Sequence, residues 1–580
     1  MSPVPEPRYF GPDERPLYGF LHRVSAPAAS LGLVICNPFG YEAVCAHRSV
    51  KHIAVAAADA GVPSLRFDYD GTGDSAGDDR DPGRVAAWLA SIEHAIDELR
   101  RITGVAKVCL LGIRIGALLA ATVAARRDDV AGLVGFASCA SGRAHLRELR
   151  ALHFALGLPD APPAARRDEG VEEAAGFALT AETRSALAEL DGTKATARPA
   201  PHVLLLERAD LRGNDAWAER LRTLGADVVV ERVPGYVEMV LDPHKARVPM
   251  QMIERLVRWL RLRADEERAQ ELPAVEPRSS ARFGAVVETA SFLDEGVFAI
   301  LSTPAALGAS SAQRAIVLLN AGAVHHIGPN RMHVLLARRW AALGHAVLRV
   351  DLPGLGDGRV RSGRTENLAY YPDAVDDVAT AIAFLRRRDA DARVYLTGIC
   401  SGAYHSFKAA LADPKVDGVV PINQPIFFWK EGMSLDTAPA AVVLHAQRSS
   451  PLDLAKWKRL FRGESDARLI ARLSARRAVS AIVRGARAVA RRAGRALPRD
   501  VATELDAIVR RGVELRFVYA SDEPGLALLR LEAGSTVSAL AANGGLDVET
   551  LEGPDHTFTA LWAQDALITR LGQILDPPPR

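Results

Sequence analysis

The chain has 580 residues, 48 % of them apolar, with 72 Lys and Arg against 70 Asp and Glu for a formal net charge of +2. That length exceeds what one hydrophobic core organises, so two domains are expected, and the balanced charge gives no reason to expect nucleic acid as a partner. The start, MSPVPEPRYFGPDERPLYGF, lacks a basic stretch followed by an apolar core, no apolar run is long enough for a bilayer, and five cysteines (Cys36, Cys45, Cys109, Cys139, Cys400) show no CxxC or Cys/His spacing; the expectation is a cytoplasmic protein with no transmembrane segment, disulfide framework or structural zinc.

Taken in chain order, LGLVICN reads as a buried strand ending at Asn37, with Arg48 eleven residues further on and a second apolar run, SLRFDYDGTGD, placing Arg66 at a distance of 29. KVCLLGIRIGALLAATVAA (107–125) reads as strand, Gly turn and helix. VAGLVGFAS follows, then a mixed insert (141–196) without a recognisable motif, then HVLLLERAD and ADVVVERVPG. Residues 265–282, charged and Pro-bearing with no apolar period, read as a linker. Beyond it the landmarks return. RAIVLLN ends at Asn320, Arg331 follows by eleven, and VLRVDLPGLGD places Arg349 at 29; RVYLTGICSGAYHSFKAAL (393–411), VDGVVPINQ, LRFVYASDE and LDVETLEGP complete the set. Three coincident spacings indicate an internal duplication. Short apolar strands alternating with helical segments predict α/β domains, each a mostly parallel sheet with helices on both faces and an inserted cap: 1–264, the linker 265–282, and 283–580 with its cap at about 427–512.

Gly398-Ile399-Cys400-Ser401-Gly402 lies between a strand and a helix, the pattern of a sharp turn that lifts a nucleophile above a sheet. A helix N-terminus there favours a thiolate. The partners should follow as acid, then histidine. Asp522 and Glu523 come after RFVYAS and His556 after VETLEG; ungapped pairing of the halves sets Asp210 over Glu523, favouring it over Asp522. His556 would act as base and acid, and the carboxylate would orient its ring. The N–H groups of Ser401 and Gly322 are the candidate oxyanion donors, with His325 and Arg331 on the same loop as candidates for the mouth of the site.

The first half holds Arg114 where the second has Cys400, in GIRIG, and pairing puts Glu238 over His556. Guanidinium stays protonated and cannot be a nucleophile. Arg114 and Glu238 are therefore expected to form an ion pair, either a structural remnant or a pocket for an anionic group.

The set LLNAGAVHH, VDLPGLGD, LTGICSGA and GPDHTF resembles the α/β-hydrolase superfamily, in particular the serine aminopeptidase and monoglyceride-lipase branch, and the likeness extends over both halves. It implies an eight-stranded sheet, a cap between strands six and seven, and the roles given to Cys400, His556, Gly322 and Ser401. Cysteine in the serine place is similar to dienelactone hydrolases and polyester synthases. The implied activity is an acyltransferase, thioesterase or ester hydrolase working through a Cys400 thioester, without metal or organic cofactor; the competing reading is a non-catalytic tandem pseudo-hydrolase that binds an acyl-carrier or glycan intermediate. Residues 468–499 hold ten arginines and no acid, which suits either a solvated helix face or recognition of something anionic: an acidic acyl carrier protein, a phosphopantetheine arm, a phosphate-bearing lipid or a membrane surface.

Overall fold

The computed structural model describes residues 4–24, 30–163, 170–211, 215–264, 276–306, 313–433 and 499–575. Strands rich in Val, Leu and Ile, such as Leu31–Cys36 and Val394–Ile399, are buried along their whole length, as strands covered on both faces must be. In the first sheet the order is Glu6–Phe10, Leu17–His22, Ser64–Asp68, Leu31–Cys36, Lys107–Ile113, Val130–Phe136, His202–Arg208, Asp227–Val233. The first two strands run antiparallel and the rest parallel.

The second sheet repeats this order with Val286–Phe292, Phe298–Pro304, Ala346–Asp351, Ala315–Leu319, Val394–Ile399, Gly418–Ile422, Glu514–Ala520 and Leu546–Leu551. It also carries a ninth strand, Ser280–Phe283, antiparallel to Val286–Phe292. The stretch read as linker to residue 282 thus becomes strand at Ser280: four residues paired edge-on to a longer neighbour need no apolar periodicity of their own. Each sheet has an apolar core on both faces.

The first domain's insert between Val130–Phe136 and His202–Arg208 is a helix, Gly142–Leu156, a hairpin, Val171–Ala174 with Phe177–Thr180, and a helix, Ala181–Glu189. The Arg-rich stretch 468–499 of the second insert lies outside the described residues except for Arg499. Among the described residues no helix is long and apolar enough to cross a membrane.

The two sheets meet at their antiparallel ends. Tyr9, Tyr18 and Phe20 pack with Ala290, Phe298 and Ile300 in one shared core, and the Tyr9 N–H donates to Arg278 O at 2.8 Å. Around this core the polar contacts are reciprocal. Arg66 pairs with Asp357 at 2.5 Å, while Arg349 pairs with Asp74; residues 66 and 349, like 74 and 357, are counterparts under the 283-residue offset between the halves. Arg331 donates to four carbonyls of the first domain, those of Gly71, Gly73, Ser75 and Gly77, at 2.7–3.2 Å. Its counterpart Arg48 reaches Glu366 at 2.9 Å. This is the geometry of a two-fold interface, in which each surface presents the same pattern to the other, here within one chain.

Candidate active site

The nucleophile turn is dictated by close approach. A Cβ at Gly398 would lie 2.8 Å from the backbone of Gly402, and one at Gly402 would lie 2.7 Å from Leu319 O. Between them Cys400 takes φ 59°, ψ −115° before helix Ser401–Ala412 begins. A non-glycine residue in this region costs about 1–3 kcal/mol and persists only where its surroundings enforce it; here the glycines on either side and the strand pairing do so. The register sets Leu319 opposite Gly398 and Ile399 opposite Ile422. The chain ends carrying Asn320, Cys400, Asn423, Glu523 and His556 therefore emerge at the C-terminal edge of the parallel strands, where open α/β sheets bind their ligands.

Glu523 is buried and immediately precedes helix Pro524–Ala542, its side chain making no capping hydrogen bond. Its Oε2 lies 2.9 Å from His556 Nδ1. A carboxylate can only accept, so Nδ1 carries a proton and Nε2 is left for the thiol. Asp522, the adjacent acid, is exposed, and the hydrogen bond to His556 is made by Glu523. Cys400 lies against the His556 ring; burial alone would lower the imidazole, but the Cys400 and Glu523 charges hold it well above its ordinary value. That favours the imidazolium form of His556. The other four cysteines are buried, and burial pushes Cys109 and Cys139 up to about 12 and the remaining two higher still; they are inert by comparison.

Two residues that sequence reading missed hold the histidine loop. Asn423, fully buried at φ 45°, donates to His556 O at 2.7 Å and accepts from the Ala520 N–H at 2.7 Å, tying strand end to loop. Asp555 accepts from the Thr559 N–H at 2.7 Å and from the hydroxyls of Thr557 and Thr559. The signal for Asn423 was its place directly after VVPI, a polar residue closing an apolar run. A third missed residue, Tyr370, is buried beside Cys400 in a cluster with Ile426, Tyr404 and Trp429.

The oxyanion assignment needs correction at Gly322. Its N–H donates to Ser401 Oγ at 2.9 Å, and that hydroxyl donates to Asn320 O at 3.2 Å. The amide is engaged by a side chain that sequence spacing could not weigh. Ser401 itself opens the helix after Cys400. His325 and Arg331 also leave the mouth of this site. Arg331 is the clamp described above, and His325 stacks on His47 of the first domain, centroids 3.7 Å apart. Both line a cavity of about 290 Å³ between the domains, walled chiefly by Phe39, Tyr69, Trp88 and Phe177.

In the first domain Arg114 occupies the same turn, φ 56°, ψ −123°. Its partners are Glu42 at 3.1 Å, Glu148, and Ala137 O at 2.9 Å. The expected pair with Glu238 is absent: Glu238 is exposed, and Asp210 pairs with Arg208. The late loop does reach the turn, but through Tyr236, whose hydroxyl donates to Glu42 at 2.5 Å and whose ring lies under the Arg114 guanidinium. Counterpart positions fixed the loop and not the side chain within reach.

His326, Asp351 and Asp357 bring possible metal-ligand atoms within 4.8 Å of one another. Both His326 nitrogens, however, are taken by carboxylates, Asp351 and Asp74, each at 2.7 Å. Although burial opposes it, these charges push His326 up to about 10. A doubly bonded imidazolium has no lone pair for a metal, so the cluster is an ion-pair network.

Residues 311–492 match the family model for serine aminopeptidase, S33. No curated protein matches the chain. Among solved structures, the chain is similar to Est1E from Butyrivibrio proteoclasticus with bound ferulic acid (16 % identity, 44 % of this chain and 98 % of that one, TM-score 0.33). It is similar to an alpha-beta serine hydrolase homologue from Coxiella burnetii (16 %, 45 % and 99 %, 0.29). A third is an α/β serine hydrolase without lid from Xanthomonas campestris (15 %, 46 % and 98 %, 0.30).

Proposed function

We propose that this chain, a member of the α/β-hydrolase superfamily, is an acyl-transferring or acyl-hydrolysing enzyme that works through a thioester on Cys400. The observation that carries the reading is Cys400 on its strained turn beside His556, whose far nitrogen is held by buried Glu523. In this reading the thiolate adds to the carbonyl carbon of an ester or thioester, and the leaving group departs with the proton carried on His556 Nε2. The same nitrogen then takes a proton from water or from an acceptor hydroxyl or amine, which attacks the Cys400 thioester and releases the acyl group.

Exchange of one thioester for another is nearly neutral in free energy, so a thioester substrate leaves the acyl group activated for transfer. This favours acyltransferase or thioesterase chemistry over plain ester hydrolysis. The ten arginines of 468–499 support an acidic carrier protein as the bearer of the acyl group. The first domain contributes structure rather than chemistry, since Arg114 is neither nucleophile nor proton shuttle.

The test is covalent trapping. A thiol-directed acyl probe should add one acyl group, mapped by mass spectrometry to the peptide holding Cys400. Cys400→Ala should lose both label and turnover while keeping its melting temperature. Full turnover in a folded Cys400→Ala protein would sink the reading.

A further inference from the structure

The Cys400 site has an unfilled requirement. A tetrahedral intermediate needs two hydrogen-bond donors at its oxygen, and the Gly322 amide is spent on the Ser401 hydroxyl. The Ser401 N–H supplies one donor. Beside Cys400 stands Tyr370, 5 % exposed, its ring stacked on Trp429 (4.7 Å, 17°) and edge-on to Tyr404 at 5.3 Å. Tyr404 is in turn tied to the nucleophile, its N–H donating to Cys400 O at 3.2 Å. The Tyr370 hydroxyl faces the Cys400 sulfur and finds no nitrogen or oxygen partner among the described residues. A buried phenol without such a partner is costly unless something that binds there completes it.

We propose that Tyr370 is a catalytic residue whose hydroxyl is the second oxyanion donor of the Cys400 site, in the role the Gly322 amide does not take. The proposal rests on the Cys400 reading above. In the addition step the sulfur electron pair forms the carbon–sulfur bond and the carbonyl π pair moves onto oxygen. That oxygen accepts from Tyr370 O–H and Ser401 N–H. Collapse restores the carbonyl and breaks the bond to the leaving group, which takes its proton from His556. Tyr370 gives up no proton at any stage, in keeping with burial and the neighbouring Cys400, which hold its phenol well above the ordinary range.

The experiment uses the full chain with two probes, p-nitrophenyl butyrate and the butyryl thioester of N-acetylcysteamine. Tyr370→Phe keeps the ring stack on Trp429 and removes only the hydroxyl. The expected result is a fall in kcat of about 10²–10³-fold with KM changed by about twofold or less. Alkylation of Cys400 by iodoacetamide, which forms no oxyanion, should keep its rate. Acyl turnover within about threefold of wild type would overturn the proposal. So would a parallel loss of alkylation, since that is the signature of a group that positions or ionises the thiol. If Cys400→Ala turns over both probes normally, the underlying reading falls and the proposal with it; if Cys400→Ala is dead and Tyr370→Phe is near wild type, only the Tyr370 assignment falls.

Discussion

Arg114 and Cys400 sit on the same turn of the same strand-turn-helix unit, with backbone angles within about ten degrees of each other, yet their surroundings share almost nothing. Around Cys400 the late loop delivers a histidine backed by a buried glutamate. Around Arg114 it delivers a tyrosine to a glutamate that neutralises the guanidinium. The comparison teaches that the turn is a property of the fold. Glycine spacing and sheet register force it, whichever side chain stands at its tip, and chemistry is a separate matter of what the neighbouring loops supply.

The most severe way to break this comparison is to remove the one difference that matters. Cys400→Ala is expected to lower acyl turnover by about four orders of magnitude or more, read by steady-state rates beside an unchanged melting temperature. Cys400→Ser should fold and retain a small residual rate, because the hydroxyl needs more help from His556.

Next in size is the relay. His556→Ala should cost about 10²–10⁴ in rate, and Glu523→Gln should cost less than that but far more than Asp522→Asn, which should be silent because Asp522 is exposed. A larger effect from Asp522→Asn than from Glu523→Gln would reverse the acid assignment.

The silent turn offers a sharper probe. Arg114→Ala strands Glu42 in a buried site, a change worth about 3–5 kcal/mol, and should lower the melting temperature while the folded enzyme keeps its turnover. Adding Glu42→Leu should recover part of the loss. Glu238→Ala should do nothing. Arg114→Cys should create no second acylation site, as determined by mass spectrometry, because a tyrosine and not a histidine faces it.

The smallest expected effect concerns pH. His326 is raised from its ordinary 6.5 to about 10 by Asp74 and Asp351, against the cost of burial. A raised folded value means stability fully present below about pH 6.5 and lost progressively as pH climbs through 10. Thermal melts across this window should show that decline in wild type and a flatter profile in His326→Gln.

Much of this was legible. The repeated Asn–Arg–Arg spacings and the Gly-flanked turn survive in sequence because they answer to backbone geometry, which any homologous fold must satisfy in the same order. Simple pairing of the halves preferred Glu523 to Asp522, and Glu523 is the acid that lies 2.9 Å from His556 Nδ1. What stayed hidden depends on side chains that meet across long separations. Arg331 looked like a site residue because it shares a loop with Gly322, but its carbonyl partners lie 254–260 residues away. Glu238 was placed correctly in the loop and wrongly in reach. The hold of Ser401 on Gly322 is a rotamer fact, and Tyr370 arrives from an irregular stretch whose path no periodicity records.

The reciprocal pairs Arg66–Asp357 and Arg349–Asp74 have a consequence for synthesis. During translation the first half emerges with Arg66 and Asp74 exposed and its true partner not yet made. Two such halves on neighbouring ribosomes carry a matching set, since Arg66 of one can meet Asp74 of the other just as it would meet Asp357. Charge pattern alone does not tell twin from mate. One contact the twin lacks is that of His326, bonded on both sides between Asp74 and Asp351, for its counterpart in the first half is Ala43. A truncated chain ending at residue 264 should therefore pair with itself weakly in sedimentation, and installing Ala43→His should tighten that pairing.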